Sequence, residues 1–304
     1  MASPAKMRGL KTFSVRTEPH RYMNDSLFVA LQHMVPQHLI SRLVGLVAAS
    51  ELKSIKDPLI NWFVKRYQVN LAEAKNQDVS QFKSFNDFFT RELMDGAREF
   101  ARGDNNWMCP VDGAVSQRGA INNGRIFQAK GHDFSALELL GGKEEFAQPF
   151  MNGQFTTIYL SPKDYHRIHM PCAGKLTDMV YVPGKLFSVN PVTTEQVPRL
   201  FARNERVVCL FDTDQGKMAM VLVGAMIVAS IETTWAGQVA PRTRKASFHN
   251  YQGNQGIQLD QSAEMGRFKL GSTVVLLSER GDLKWDDQID EGVPVRLGQP
   301  LATF

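Results

Sequence analysis

The segment from Ser161 to Pro171 carries two imidazoles three residues apart, His166 and His169. Ser161, Pro162 and Asp164 make a helix-start signal and Pro171 a stop, so one or two helical turns are expected here. On such a turn the two rings share a face and can enter one cavity; in a strand they point to opposite faces. The plainest reading is two unrelated histidines, each satisfied by its own hydrogen bonds. A metal site would recruit Cys172 as a third ligand, but no HExxH pattern or further histidine and carboxylate cluster completes it. Acid-base catalysis is the third reading, and it needs a carboxylate to orient one ring and a nucleophile to receive its help.

Asp112, in the run from Cys109 to Gly113, is a candidate carboxylate at the entrance to an apolar stretch. Ser272, following Leu270 and Gly271 and preceding Thr273, is a candidate nucleophile. In isolation Asp112 and Gly113 read as a turn, and Ser272 as the first residue of a strand. Spacing alone does not bring the three groups together.

The elements that must position them change character along the chain. Residues 25–95 read as amphipathic helices. The first has Asp25 and Ser26 as a possible cap and Leu27, Phe28, Leu31 and Met34 on one side, stopping before Pro36. The second carries Leu39, Ile40, Leu43, Val44, Leu46 and Val47 on one face. The third is expected to take Asp57 as cap and Pro58 as its first residue, with Leu59, Ile60, Trp62, Phe63 and Tyr67 following. Ser84 to Asp87 form an approximate capping signal before Phe88 and Phe89. These helices either pack against their own domain or lie in a lipid surface. From about residue 107, strand-forming runs separated by glycine take over: 113–115, 155–160, 207–211, a bent or double strand over 218–231, and 272–277. Residues 241–263 read as a long loop. The expected fold class is α+β, with N-terminal amphipathic helices followed by a β-rich, barrel-like or sandwich catalytic core.

Composition narrows the function. The 304 residues are 43% apolar, enough to bury a sizeable core. Three separated cysteines support neither a disulfide framework nor a four-cysteine zinc site, and they suit a reducing cytoplasm. The formal charge is +4, and the leader 1–24 accounts for the whole excess through Lys6, Arg8, Lys11, Arg16 and Arg21 against Glu18. A neutral body argues against a nucleic-acid binder, whereas a basic flexible leader can be drawn to anionic lipid. The leader has no apolar core of the secretory kind. The longest uncharged apolar stretch, Met218 to Ile231, is shorter than the roughly 18 residues that mark a spanning helix.

Taken together, the run from Tyr159 to Cys172, Val111 to Gly113, Phe187 to Asn190, Leu200 to Arg206 and Leu270 to Thr273 resemble bacterial, pyruvoyl-dependent phosphatidylserine decarboxylases in family order, across residues 25–304. The resemblance implies self-cleavage between Gly271 and Ser272, with the Ser272 hydroxyl attacking the Gly271 carbonyl. The ester then eliminates to a dehydroalanine that tautomerises to an imine, which water hydrolyses with loss of ammonia to leave a pyruvoyl group as covalent cofactor. It further implies His169 as the base, Asp112 as its orienting carboxylate, and a Schiff base with phosphatidylserine during decarboxylation to phosphatidylethanolamine; His166 is the candidate acid that protonates Cα. The domains expected on this basis are a leader 1–24, a membrane-associating helical region 25–95 and a catalytic domain 96–304. The expected partners are an anionic membrane surface, the enzyme's own cleaved α and β chains and a second copy in a homodimer, and the expected location is peripheral, on the cytoplasmic face of the cell membrane. The two rival functions are a metal-assisted hydrolase built on His166, His169 and Cys172, and a non-catalytic lipid-binding module.

Overall fold

The computed structural model describes residues 32, 37–226, 230–241, 245–253, 256–269 and 272–304. The expected helix over 27–34, the leader 1–24 and the residues Leu270 and Gly271 lie outside these, apart from Gln32, which is helical. The elements below belong to one unit, Pro36–Phe304.

Helix α1 spans Gln37–Ala48 and is inverted relative to an ordinary surface helix. Gln37, Ser41 and Ala48 face inward, while Leu39, Leu43, Leu46 and Val47 are 50–72% exposed. The anchor is polar: Gln37 Oε1 accepts from the Leu186 backbone N–H at 2.8 Å. Helix α2 spans Lys53–Tyr67 and begins earlier than the expected cap at Asp57. The Leu52 carbonyl accepts from both Ile55 and Lys56 N–H at 2.9 Å, closing the first turn before Asp57 is reached. Pro58 is therefore interior, at a position where its missing N–H would have pointed at the Ser54 carbonyl. Gln68 ends the helix in the left-handed conformation at φ 56°. Helix α3, Phe85–Phe89, is capped as expected, with Ser84 accepting from the Asp87 N–H at 3.2 Å. It buries Phe85, Phe88 and Phe89 against Ile60 and Phe63 of α2, and Phe63 meets all three rings edge-on at 5.0–5.9 Å.

The remainder is built on open antiparallel sheets, packed as a sandwich rather than closed into a barrel. The strands that position the site are β1 (Gly113–Ala120), β2 (Gln154–Leu160), β3 (Arg167–His169), β4 (Gly174–Val182), β5 (Arg206–Thr213), β6 (Gly216–Gly224), β7 (Ser230–Thr233), β8 (Gly237–Ala240), β9 (Glu264–Lys269) and β10 (Ser272–Ser278). The large sheet runs β4, β5, β6, β10, β2, β1, with Ser247–Asn250 and Pro294–Val295 as short outer strands. A second sheet runs β8, β7, β9, β3. The apolar stretch 218–231 is two strands, β6 and β7. The expected long loop over 241–263 contains two short strands, Ser247–Asn250 and Gln258–Leu259, both paired with β4. Strand β10 sits between β6 and β2 and is buried at every position, which explains its unbroken apolar run.

The Ser161 to Pro171 segment is not helical. Asp164 folds back so that its Oδ2 accepts from the Ser161 N–H at 2.7 Å, and the Asp164 N–H reaches the Ser161 carbonyl at 3.0 Å. The chain then becomes strand β3, with Arg167 opposite Arg267 and Ile168 opposite Gly266 of β9. An isolated pair of helical turns is a costly nucleus, and an available sheet edge supplies backbone partners without it.

Phe88 is fully buried in the aromatic cluster. Phe88→Ala is expected to lower unfolding stability by about 3–5 kcal/mol in chemical denaturation; a loss below about 1 kcal/mol would contradict the packing described.

Candidate active site

Ser272 opens β10. Its backbone is paired on one side with Leu160 and on the other with Gly224. Side chains of paired residues share a face, so Ser272 points the same way as Val274, Leu160 and Leu222, into the main apolar core. The residue is fully buried and its hydroxyl has no hydrogen-bond partner among the described residues, and the same is true of the Thr273 hydroxyl on the opposite face. Leaving such a group unpaired costs roughly 1–3 kcal/mol. A stable fold that carries two of them side by side at a strand start has kept reactive oxygen where packing alone prefers carbon.

His166 precedes β3 and is also fully buried. Its Nδ1 donates to the Asp164 carbonyl at 2.8 Å, leaving Nε2 as a bare, buried lone pair without a partner. The ring packs on Phe89 with centroids 4.0 Å apart. Burial drives its pKa down to about 3; the Asp164 carbonyl opposes the shift and the Arg91 charge adds to it. The backbone ties the ring to the strand that leads towards Ser272, since the His166 carbonyl accepts from Phe268 N–H at 3.0 Å.

His169 lies on β3 and does not share a helical face with His166. Its Nδ1 donates to the Ser262 carbonyl at 2.8 Å, and its Nε2 accepts from the Tyr165 hydroxyl at 3.1 Å. Burial lowers its pKa, with the Ser262 carbonyl and the Glu264 charge opposing. Both imidazoles are thus neutral, with Nε2 as the basic nitrogen.

Asp112 is brought near His169 by backbone pairing, the His169 N–H reaching the Pro110 carbonyl at 2.9 Å. The carboxylate itself is committed elsewhere. Oδ1 accepts from Leu297 N–H at 2.8 Å and Arg98 Nε at 3.1 Å, and Oδ2 pairs with Arg98 Nη2. Arg98 also reaches Glu73 at 2.7 Å, and Arg296 binds the same Glu73. The group that orients the His169 ring is therefore the Ser262 carbonyl, while Asp112 acts on the ring through its charge, which favours the imidazolium. No hydrogen bond among the described residues joins Ser272 to either histidine.

Several members of the site carry no signal in the sequence. Arg98, Glu73 and Arg296 meet only through long-range folding, as does Ser262 with His169, whereas Tyr165 reaches His169 from four residues away. Arg91 is 5% exposed and donates to the Lys163 and Asp164 carbonyls, with Nε and Nη1 unpartnered. Asn204 is the clearest omission: fully buried, its Nδ2 donates to the carbonyls of Phe187 and Gly224 at 2.9 Å, and its Oδ1 accepts from Phe187 N–H at 3.1 Å. It fastens the 187–190 and 200–206 segments to the strand end beside Ser272. Cys172 is buried, and among the described residues no three of His, Cys, Asp and Glu gather in a way that could hold a metal ion. A cavity of about 450 Å³ opens beside this region between α1 and the sheets, with Glu205, Ser230 and Lys269 among its walls.

Residues 85–303 match the family model described as phosphatidylserine decarboxylase, and residues 27–68 match one described as PSD. A protein of Pseudomonas putida named phosphatidylserine decarboxylase proenzyme is 56% identical over 92% of this chain and 98% of its own length. Proteins of the same name from Ectopseudomonas mendocina and Pseudomonas aeruginosa are 55% and 56% identical, over 92% and 91% of this chain and 99% and 97% of theirs. The chain is an enzyme of the carboxy-lyase class. It belongs to the phosphatidylserine decarboxylase family.

The neutral His166 sets a pH dependence. The unfolded ring binds a proton below about pH 6.5, whereas the folded one resists it until about pH 3. The unfolded state therefore gains protons first, and the contribution of this group to stability is full above about 6.5 and is lost as pH falls towards 3, at up to about 1.4 kcal/mol per unit. Replacing His166 with Gln is expected to flatten that part of a stability-against-pH curve measured by denaturant unfolding; an unchanged slope between pH 6 and 4 would contradict a buried neutral ring.

Proposed function

We propose that this enzyme decarboxylates phosphatidylserine to phosphatidylethanolamine and carbon dioxide, using a pyruvoyl group made from Ser272 when the chain cuts itself before that residue. The observation that carries the reading is the sealed, unpartnered Ser272 hydroxyl at the start of a central strand. In the cut, that hydroxyl oxygen attacks the preceding carbonyl, its proton passes to a base, and the peptide bond is exchanged for an ester whose Cβ–O bond then breaks by elimination. His169 suits the base: Ser262 holds the proton on Nδ1, Nε2 carries the lone pair, and a shift of the Tyr165 hydroxyl frees it. The Asp112 charge supports the imidazolium that forms.

A pyruvoyl group at residue 272 fits the residues present, because the buried Ser272 oxygen has no partner that its conversion would break. Once formed, such a group supplies a ketone for Schiff-base condensation with the substrate amine and a conjugated carbonyl that takes up the electron pair as carbon dioxide leaves. The protein's part is to hold the substrate carboxylate in an apolar, water-excluding setting and to return a proton to Cα. His166 is the proposed proton carrier. Its neutral form is restored readily, because burial disfavours the charge it acquires on taking up a proton.

A lipid substrate requires a docked enzyme. No described helix is long and apolar enough to cross a membrane. Helix α1 offers Leu39, Leu43, Leu46 and Val47 outward, continued by Leu52, Ile55 and Trp62. This apolar ridge supports peripheral attachment to the cytoplasmic face of the cell membrane, with the acyl chains left in the bilayer. The family resemblance extends the reading to a homodimer of the cleaved αβ unit.

Ser272→Ala and His169→Ala are expected to remain uncut and inactive. His166→Ala is expected to cut normally and to lose about 10²-fold or more in release of carbon dioxide from phosphatidylserine vesicles. Normal cutting and full activity in His169→Ala would overturn the assignment of the base.

A further inference from the structure

The cavity between α1 and the sheets adjoins Ser272 through a row of three residues. Register places Arg206 opposite Val223, so Glu205 follows opposite Gly224, whose N–H donates to the Glu205 carbonyl at 2.8 Å; Gly224 is in turn paired with Ser272. Residues in such a row share a face, and strands lie about 4.8 Å apart, so Glu205 and Ser272 stand roughly 10 Å apart with Gly224 between them. Gly224 has no backbone need to be glycine, since its φ is ordinary. A Cβ there would meet the Glu205 carbonyl at 3.3 Å and Leu186 Cδ2 at 3.7 Å. The missing side chain lets the Glu205 strand and Leu186, a wall of the cavity, close up on the residue paired with Ser272.

We propose that this cavity binds the phosphoserine headgroup of the substrate, with Glu205 at its floor receiving the ammonium and Arg42 at its lip receiving the phosphodiester. The inference rests on the lipid-decarboxylase reading and adds the residues that recognise the substrate. Glu205 is 6% exposed and accepts from the Tyr181 hydroxyl at 2.9 Å, but it has no ion pair among the described residues. A buried carboxyl without a cation is costly unless a cation arrives, and burial accordingly holds its pKa above the ordinary carboxylate range. The Ser230 hydroxyl, buried and unpartnered, lines the same cavity and can bond the substrate carboxylate. Lys269 is already paired with Glu232. Arg42 has no carboxylate partner among the described residues, and its planar fork matches phosphate oxygens. Helix α1 carries Arg42 towards the cavity, with Leu46 beside it on the cavity wall, and turns Leu39 and Leu43 outward. One helix thereby sets both the membrane depth and the phosphate position. A volume of about 450 Å³ suits a headgroup without its acyl chains.

The test uses the uncut Ser272→Ala chain, which binds without reacting, and reads affinity by calorimetry for sn-glycero-3-phosphoserine and for glycerol 3-phosphate. Arg42→Gln is expected to weaken both by about tenfold, the loss of one charged contact. Glu205→Gln, which keeps the bond to Tyr181, is expected to weaken glycerophosphoserine about tenfold and to leave glycerol 3-phosphate within twofold, because the latter has no amine. Ser230→Ala removes a hydroxyl that bonds nothing among the described residues, so little of the fold depends on it; it is expected to weaken glycerophosphoserine alone, by about threefold. No binding of glycerophosphoserine by the Ser272→Ala parent, equal affinities in parent and variants, or an equal loss of both probes in Glu205→Gln would overturn the inference. Cutting at residue 272 is scored separately in the wild-type chain. A chain that cuts but shows no such binding defeats this inference alone, and one that binds but never cuts defeats the pyruvoyl reading alone.

Discussion

The register of β10 between β6 and β2 is the constraint on which the rest of the structure depends. All seven of its residues are paired on both sides, from Ser272 against Leu160 and Gly224 to Ser278 against Gln154 and Met218. A slip of one residue would exchange the faces of Val274 and Leu276 with those of Val275 and Leu277, and of Ser272 with Thr273, so that each side chain met the wrong packing partners. The apolar interior thus determines where the reactive hydroxyl stands, to within the width of a side chain. The unpaired hydroxyl is a local loss that this large apolar surface can carry.

Around that point the fold arranges neutral bases rather than ion pairs. His166 and His169 each give Nδ1–H to a backbone carbonyl, and burial suppresses the cation in both. The charged groups are held one step back. Asp112, Arg98, Glu73 and Arg296 form a network joining the helical segment, the start of β1 and the C-terminal region. Low dielectric around the imidazoles and a fixed negative charge near one of them are compatible only because Arg98 balances that charge.

How much of this was legible in the sequence depended on whether local or distant contacts decided the outcome. The Ser84 cap, the second helix and the strands from 154 and 272 follow from nearby residues and were readable. Pro58 was misread as a helix start because the first turn is closed by Leu52, which carries no capping signal. The turn at 161–164 was read as helix because Pro162 and Asp164 favour both; strand pairing with β9, invisible in a local window, decided between them. Among site residues, the spacing of His166 and His169 drew notice by itself, but their roles, and any weight on Ser272 and Asp112, came only through family resemblance. Their true partners, Ser262, Tyr165 and Arg98, lie 93, 4 and 14 residues away from the groups they hold. The orientation of α1 was also hidden: its periodicity marked an apolar face, but only the fold shows that this face looks outward.

Intact-mass measurement of the freshly purified, denatured chain tests the central claim most directly. The account predicts two species, residues 1–271 and residues 272–304, the shorter one bearing a pyruvoyl group in place of its first serine and therefore refusing Edman degradation. An unbroken chain that decarboxylates phosphatidylserine at full rate would contradict it.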